Sequence, residues 1–195
     1  MNIEEIMDVI KSRRSVRSYT DAPVEEEKLS RIIEAGLFAP SGVNFQPWYF
    51  VVVRTPENKD KLLQIMQGVS KDAEPMLQDR FQKHPQTVRE VTGFLKTLGN
   101  APVVILAFQL KDSYPKEGDV IPQSIGAAIQ NMLLAAHAMG IGSCWIGAPS
   151  ETGADKRIHE EFAPDKGPFM AMITLGYPAK VPPAPKRKEG RFVLI

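Results

Sequence analysis

One cysteine, Cys144, is all that 195 residues carry, so intrachain disulfides, a CxxC redox pair and a cysteine-rich zinc site are excluded. Neither GxGxxG nor GxxxxGKS/T occurs, which removes the two commonest glycine-rich phosphate loops. A GxSxG hydrolase elbow is missing as well. The charge has no dominant sign: 24 basic against 23 acidic side chains leave +1, and no global field favours nucleic acid. No apolar run approaches the roughly 18 residues of a membrane span. Residues 1–10 alternate acids with apolar residues and lack the basic, apolar, small-residue order of a signal peptide. The expectation is a cytoplasmic protein without nucleic-acid or membrane partners. The three histidines, His84, His137 and His159, show no HxxxH or carboxylate spacing, so no metal site is expected. His137 reads as a hydrogen-bonded core histidine, and Cys144, between Ser143 and Trp145, as an inert buried thiol.

What is present is an ordinary globular mixture, 43% apolar and 24% charged, of a length suited to a single domain over residues 1–195. Ile3, Ile6, Met7 and Ile10 recur at helical spacing, predicting a helix that ends near residues 12–14. Glu25, Glu26 and Glu27 open a second helix with Leu29, Ile32, Ile33 and Leu37 as its buried stripe, stopped by Pro40. Residues 48–53 read as a strand. Thr55 and Pro56 start a third helix carrying Leu62, Leu63 and Met66. Residues 67–86 are polar and show no clean period. Val88, Val91, Leu95 and Leu98 restore a helical stripe, and residues 101–108 form a buried strand with a charged exit at Lys111 and Asp112.

The strongest periodic signal runs from Ile125 to Ala136; a helix apolar on most sides must be buried on most sides, and Gly140 closes it. A strand at 143–146, a helix near 155–162 and a strand at 169–175 follow. Beyond Pro178 an arm, residues 178–195, carries Pro182, Pro183 and Pro185 and ends on Phe192, Val193, Leu194 and Ile195. An apolar tip on a proline-stiffened arm needs somewhere to pack, and a second subunit is the natural place. The pattern predicts an α+β domain of three layers around a mixed or antiparallel sheet.

Three stretches and the tail hold candidate chemistry. Arg13-Arg14-Ser15-Val16-Arg17 offers three guanidiniums and a hydroxyl that suit a phosphate, although Arg13 and Arg14 would also offset a helix C-terminus. The stretch from Ala39 to Trp48 presents Ser41, Asn44 and Gln46, donors and acceptors together, which suits a polar heterocycle; Pro, Ser, Gly and Asn also make ordinary turns. At 140–147, small residues let a flat ligand lie against the backbone, with Trp145 either stacking on it or packing in the core. Lys186-Arg187-Lys188 is either solvated surface or a second phosphate contact. Side-chain nucleophiles and bases are missing while a phosphate-plus-heterocycle site is present, so a cofactor is expected to carry the chemistry.

Taken together, RRSVRSY from Arg13, PSGVNFQPWYF from Pro40, QNMLLAAHAMGIGSCWIG from Gln130 and the GYP turn at Gly176 resemble the FMN-dependent nitroreductase family. The resemblance implies a nitroreductase-like fold and a homodimer with FMN at the subunit interface. It also implies NADH or NADPH as donor and nitroaromatic or quinone-like acceptors, reduced in ping-pong fashion by hydride transfer through flavin N5. Carried over by position, Arg13 holds the phosphate, Ser15 the ribityl or phosphate region and Arg17 the pyrimidine edge, while Arg14 contributes backbone. Pro40, Ser41 and Asn44 come from the partner chain, with Gln46 supporting their loop. Gln123 falls at a ring or ribityl contact, Ile146 and Gly147 face the N5 side, and Arg187 with Lys188 gives the tail's phosphate contact. Residues 67–86 occupy the usual place of a substrate-shaping lid but are unlike the best-known members. Other branches of the scaffold fragment flavin or remove aryl halogen, and a non-catalytic flavin-binding module is the remaining alternative.

Overall fold

A computed structural model describes residues 2–110 and 120–195. The charged exit at Lys111 and Asp112 lies outside the described residues. Helix α1 (Ile3–Ser12) starts on a capping box: Asn2 accepts the Glu5 N–H at 3.0 Å and Glu5 accepts the Asn2 N–H at 3.1 Å. Helix α2 (Glu26–Leu37) leads to β1 (Trp48–Val53). Helices α3 (Pro56–Arg80) and α4 (Pro85–Thr97) then precede β2 (Val103–Gln109). The long helix α5 (Val120–Ala138) runs to β3 (Gly142–Ile146). Helices α6 (Ala148–Glu151) and α7 (Asp155–Phe162) and strand β4 (Phe169–Gly176) complete the order.

The sheet order is β1-β2-β4-β3 and every pair in it is antiparallel. Of the mixed or antiparallel sheet expected, the antiparallel form is the one present, with an isolated parallel bridge between Ser15 and Ser143 beside it. Each face of the sheet is covered by helices. Val103, Ile105 and Ala107 point toward α2 and α5, while Val104, Leu106 and Phe108 point toward α3, α4 and α7. Both faces of β2 are therefore buried, which is why its sequence is a continuous apolar run and not an alternation. A bulge opposite Ala107 and Phe108 turns Phe169 to the same side as Phe108, where the rings meet edge-on at 5.8 Å.

The structure corrects one expectation, at Leu37, and fills in two features that the sequence left open. Residues 67–86 are mostly helical: α3 continues to Arg80, and Met66, Val69, Ser70 and Ala73 make a buried stripe whose small and polar members hid the period. Ser70 Oγ donates to the Thr92 carbonyl at 2.8 Å, fastening α3 to α4. Leu37 is exposed; Gly36 is the buried residue there, because a Cβ at that position would collide with the Met132 side chain of α5. The apolar face of α1 is also uncovered, with Ile3, Ile6 and Ile10 all exposed. Among the described residues no helix is long and apolar enough to cross a membrane, and no group of three metal-binding side chains occurs.

Candidate functional site

The chain leaves α1 at Arg13 (φ −55°, ψ 136°) and becomes extended. Val16 N–H donates to the Ser143 carbonyl at 2.9 Å, Tyr19 N–H to Gly99 at 3.1 Å, and Ala179 N–H to Ser18 at 2.9 Å. Tyr19 fixes the run from beneath, donating to the Val16 carbonyl at 2.6 Å with Thr174 Oγ1 at 2.8 Å; burial pushes its phenol pKa up. An extended segment presents alternate residues to opposite sides. Accordingly Ser15 and Arg17 line a cleft of about 600 Å³, whereas Arg14 and Val16 line a separate cavity of about 210 Å³. The Arg14 guanidinium donates to the carbonyls of Lys11 (2.6 Å) and Arg13 (2.7 Å), so it acts as a C-terminal cap for α1.

Ser12 Oγ holds this exit to α5. It lies 2.5 Å from the Asp8 carbonyl, which takes its one hydrogen, so His137 Nε2, at 2.7 Å, supplies the proton of the second bond. Burial, then Arg13 and Arg14, lower the His137 pKa and keep the ring neutral. His137 is thus a hydrogen-bonded histidine, as expected from sequence, but half-buried and not in the core.

The cleft's second wall is one face of α4, where Glu90, Gly93, Phe94 and Thr97 follow helical spacing. The Arg17 guanidinium carbon stands 5.8 Å from the Phe94 ring centroid, a cation–π distance that holds it against this wall. A Cβ at Gly93 would meet nothing within 4 Å, so glycine keeps free a volume that a side chain would fill. Gly99, at φ +62°, closes the cleft so tightly that a Cβ would strike the Arg17 carbonyl. Lys180, Pro182 and Pro183 bring the arm to the same space. Arginine, hydroxyl and a flat aromatic-backed slot fit an elongated phosphorylated heterocycle such as FMN.

The loop of Ser41–Gln46 lies elsewhere. Gln46 N–H donates to Ser41 Oγ at 2.9 Å, Gln46 Nε2 to Asn44 Oδ1 at 3.2 Å, and Gly42 N–H to Ser124 Oγ at 3.4 Å. Pro40, Asn44 and Gln46 are exposed, as is Gln123 beside Ser124. Five described non-glycine residues have positive φ: Val43, Asn44, Gln46, Leu98 and Asn100. All five lie in this loop or in the turn at the cleft, and backbone strain of that kind is retained where function requires it. Composition could not foresee these turns, since Val43 and Leu98 are residues that avoid such angles.

Ser124 and His137 are 13 residues apart on α5, or roughly 20 Å at 1.5 Å per residue. The Ser41 loop is fastened near the first and the arginine segment near the second, so one chain does not bring the two motifs together. Ile146 is buried under α3 and α7, and Gly147 is exposed with open space around a Cβ. Trp145 is not core: it is 43% exposed, its ring touching α5 at Gly126. Arg187 and Lys188 are exposed on the arm. Cys144 is 2% exposed and burial pushes its thiol pKa up, as an inert thiol requires. Ser143 Oγ, missed in the sequence, is the buried side-chain polar atom left without a hydrogen-bond partner among the described residues.

Comparison with known proteins places these features. A profile of the Nitroreductase family matches residues 10–177. A provisionally named NADH dehydrogenase/NAD(P)H nitroreductase of Archaeoglobus fulgidus is 30% identical over 177 residues, 90% of this chain and 87% of that protein. Iodotyrosine deiodinase 1 of Rattus norvegicus is 28% identical over 97% of this chain and 67% of its own length. The crystal structure of a nitroreductase with bound FMN from Bacteroides fragilis superposes with a TM-score of 0.77 over all of both chains at 26% identity. With the arginine segment, the polar loop and the antiparallel sheet all inside the matched span, the chain belongs to the nitroreductase family.

Proposed function

We propose that this chain is an FMN-dependent oxidoreductase that takes electrons from NADH or NADPH and reduces nitroaromatic or quinone-like acceptors, working in the cytoplasm as a homodimer. The carrying observation is the pairing of Ser15 and Arg17 on the wall of the 600 Å³ cleft, a volume typical of a small-molecule site. FMN supplies two-electron hydride chemistry when bound. Arg13 and Ser15 anchor its phosphate by charge-assisted hydrogen bonds, and Arg187 and Lys188 reach the same group from the arm. Arg17, held over Phe94, places a fixed cation where negative charge grows on reduction. Arg14 serves through its backbone, its side chain being used on α1.

Pro40, Ser41, Asn44 and the supporting Gln46 sit about 20 Å along α5 from the arginine segment. A second copy therefore supplies them to each cleft, together with Gln123. The backbone at Ile146 and Gly147 flanks the reacting side. No side-chain acid or base is assigned, because the cofactor would carry the hydride chemistry and the protein positions and shields; donor and acceptor use the same cleft in turn. Helix α4 forms that cleft's outer wall, and residues 67–86 support it from behind through the Ser70–Thr92 bond.

Purified protein that is yellow and releases FMN on denaturation, and that oxidises NAD(P)H when a nitroarene is added, supports the reading. A colourless preparation that takes up no added FMN overturns it. A second reading, reduction of aryl halides, is favoured by the likeness to the rat deiodinase over 97% of the chain. Turnover of iodinated phenols with no turnover of nitroarenes or quinones would select it.

A further inference from the structure

The cleft's charges are unequal in their commitments. Under the function proposed above, on which this inference rests, Arg17 is taken by the cofactor. Lys180 also lines the cleft, and the backbone contacts of its arm, Ala179 N–H to Ser18 O at 2.9 Å and the Pro178–Tyr19 bridge, place it on the Ser18–Tyr19 side. Among the described residues lining this cleft, Glu90 is the one carboxylate. Its one hydrogen bond is from Gln86 Nε2 to Oε1 at 3.0 Å, a neutral donor, and it enters no ion pair among the described residues. On α4 it lies seven residues before Thr97, roughly 10 Å along the axis. Thr97 adjoins the Gly99–Asn100 turn that meets the Arg17 backbone, and the Arg17 guanidinium stands over Phe94, so Glu90 lies one helical turn beyond that cation, at the far end of the wall from the turn.

We propose that Glu90 is a specificity-determining residue that selects acceptors by charge, favouring aromatic substrates with a cationic or hydrogen-donating substituent and rejecting carboxylated ones. The group is exposed and hydrated, so the selection is of modest size: each like or unlike charge changes affinity by about two- to fivefold at low salt. Screening at high ionic strength removes most of it.

The test uses FMN-loaded protein and benzamidine, benzamide and benzoate as ligands, each titrated by the change in flavin absorbance. Turnover of 4-nitrobenzylamine against 4-nitrobenzoate is compared in parallel. In the unaltered protein benzamidine is expected to bind more tightly than benzoate. In E90Q the affinity ratio falls at least about threefold, in E90K it falls further, and raising salt from about 20 to about 500 mM shrinks the differences. Because the readout is a ratio within one preparation, partial loss of flavin or protein in a variant cancels. Equal ratios in all three proteins at low salt overturn the proposal, and so does failure of every ligand to perturb the flavin. A protein that binds the ligands with the expected ratio yet turns over neither nitro compound contradicts the proposed reaction while leaving the charge selection by Glu90 standing.

Discussion

Ser15 and Arg17 show how much depends on alternation along a short extended segment. A helical path would put these two, two residues apart, on opposite sides of a cylinder; the bridge to Ser143 keeps both on the cleft and turns Arg14 to the α1 terminus. Under the proposed function Arg13→Ala would remove a charge-assisted phosphate contact, so FMN affinity should fall by about 1.5–3 kcal/mol, measured by flavin fluorescence titration. Arg14→Ala should leave that affinity nearly unchanged and lower stability slightly through its α1 carbonyls. Equal loss of FMN in both variants would mean that alternation does not sort the two arginines. Gly99 makes the complementary point. At φ +62°, with the Arg17 carbonyl where a Cβ would go, Gly99→Ala is expected to cost about 1–3 kcal/mol. That is a fall in melting temperature of roughly 2–4 °C per kcal/mol for a chain of this size.

Among the elements, those with strong periods were legible in the sequence. Strand Trp48–Val53 and helix Asp155–Phe162 have the expected ends, and α5 shows the buried stripe of Ile125, Ala128, Ile129 and Met132 that its spacing predicted. What failed had a physical cause in each case. The second half of α3 packs on Ser70 and Ala73, small residues that leave no hydrophobic period to detect. Leu37 looked like core only because Gly36, the residue that lets α2 approach α5, has no side chain to read. The left-handed residues at Val43 and Leu98 are invisible to composition altogether. In the site, the arginine segment and the polar loop could be read as motifs, whereas α4's contribution through Gly93 and Phe94 could not, since a glycine and a phenylalanine on a helix announce nothing.

One link between elements makes a pH prediction. Tyr177 OH bonds Glu25 at 2.7 and 2.8 Å, and Lys28 Nζ bonds the same phenol oxygen at 2.6 Å, tying the start of α2 to the exit of β4. Tyr177, chiefly, holds the Glu25 carboxyl below its ordinary range. A carboxylate whose pKa is lowered by folding adds stability that is complete above its unfolded pKa and is lost as pH falls through the lowered value. Tyr177→Phe should therefore flatten part of the acid limb of a stability–pH curve measured by urea unfolding, with little change in slope near neutral pH. An acid limb identical in both proteins would remove this link from the account.

At the scale of the whole molecule, the unpaired surfaces argue for a second copy. Phe192, Val193, Leu194 and Ile195 are 85%, 77%, 89% and 115% exposed, and the apolar face of α1 and the side chains of Phe38 and Val43 stand open as well. Burying the four terminal side chains on a partner would contribute about 1.5–3 kcal/mol each before the cost of ordering a proline-stiffened arm. The separation of the two motifs along α5 adds an independent reason, because a cleft completed by a second chain binds its cofactor only in the dimer. Cofactor and interface then stabilise each other by mass action, and excess FMN should raise the melting temperature and tighten the dimer together. Truncation after Lys180 removes the apolar tip and, with it, Arg187 and Lys188. The shortened protein is expected to be more monomeric, to retain FMN poorly and to melt earlier. Sedimentation velocity at matched concentrations, with flavin absorbance recorded beside protein absorbance, follows mass and occupancy in one run. Full-length and truncated chains that both sediment as fully flavinated monomers would contradict the shared site and the arm's role at once, while a truncated dimer that has lost only its flavin would confine the arm to the phosphate contact.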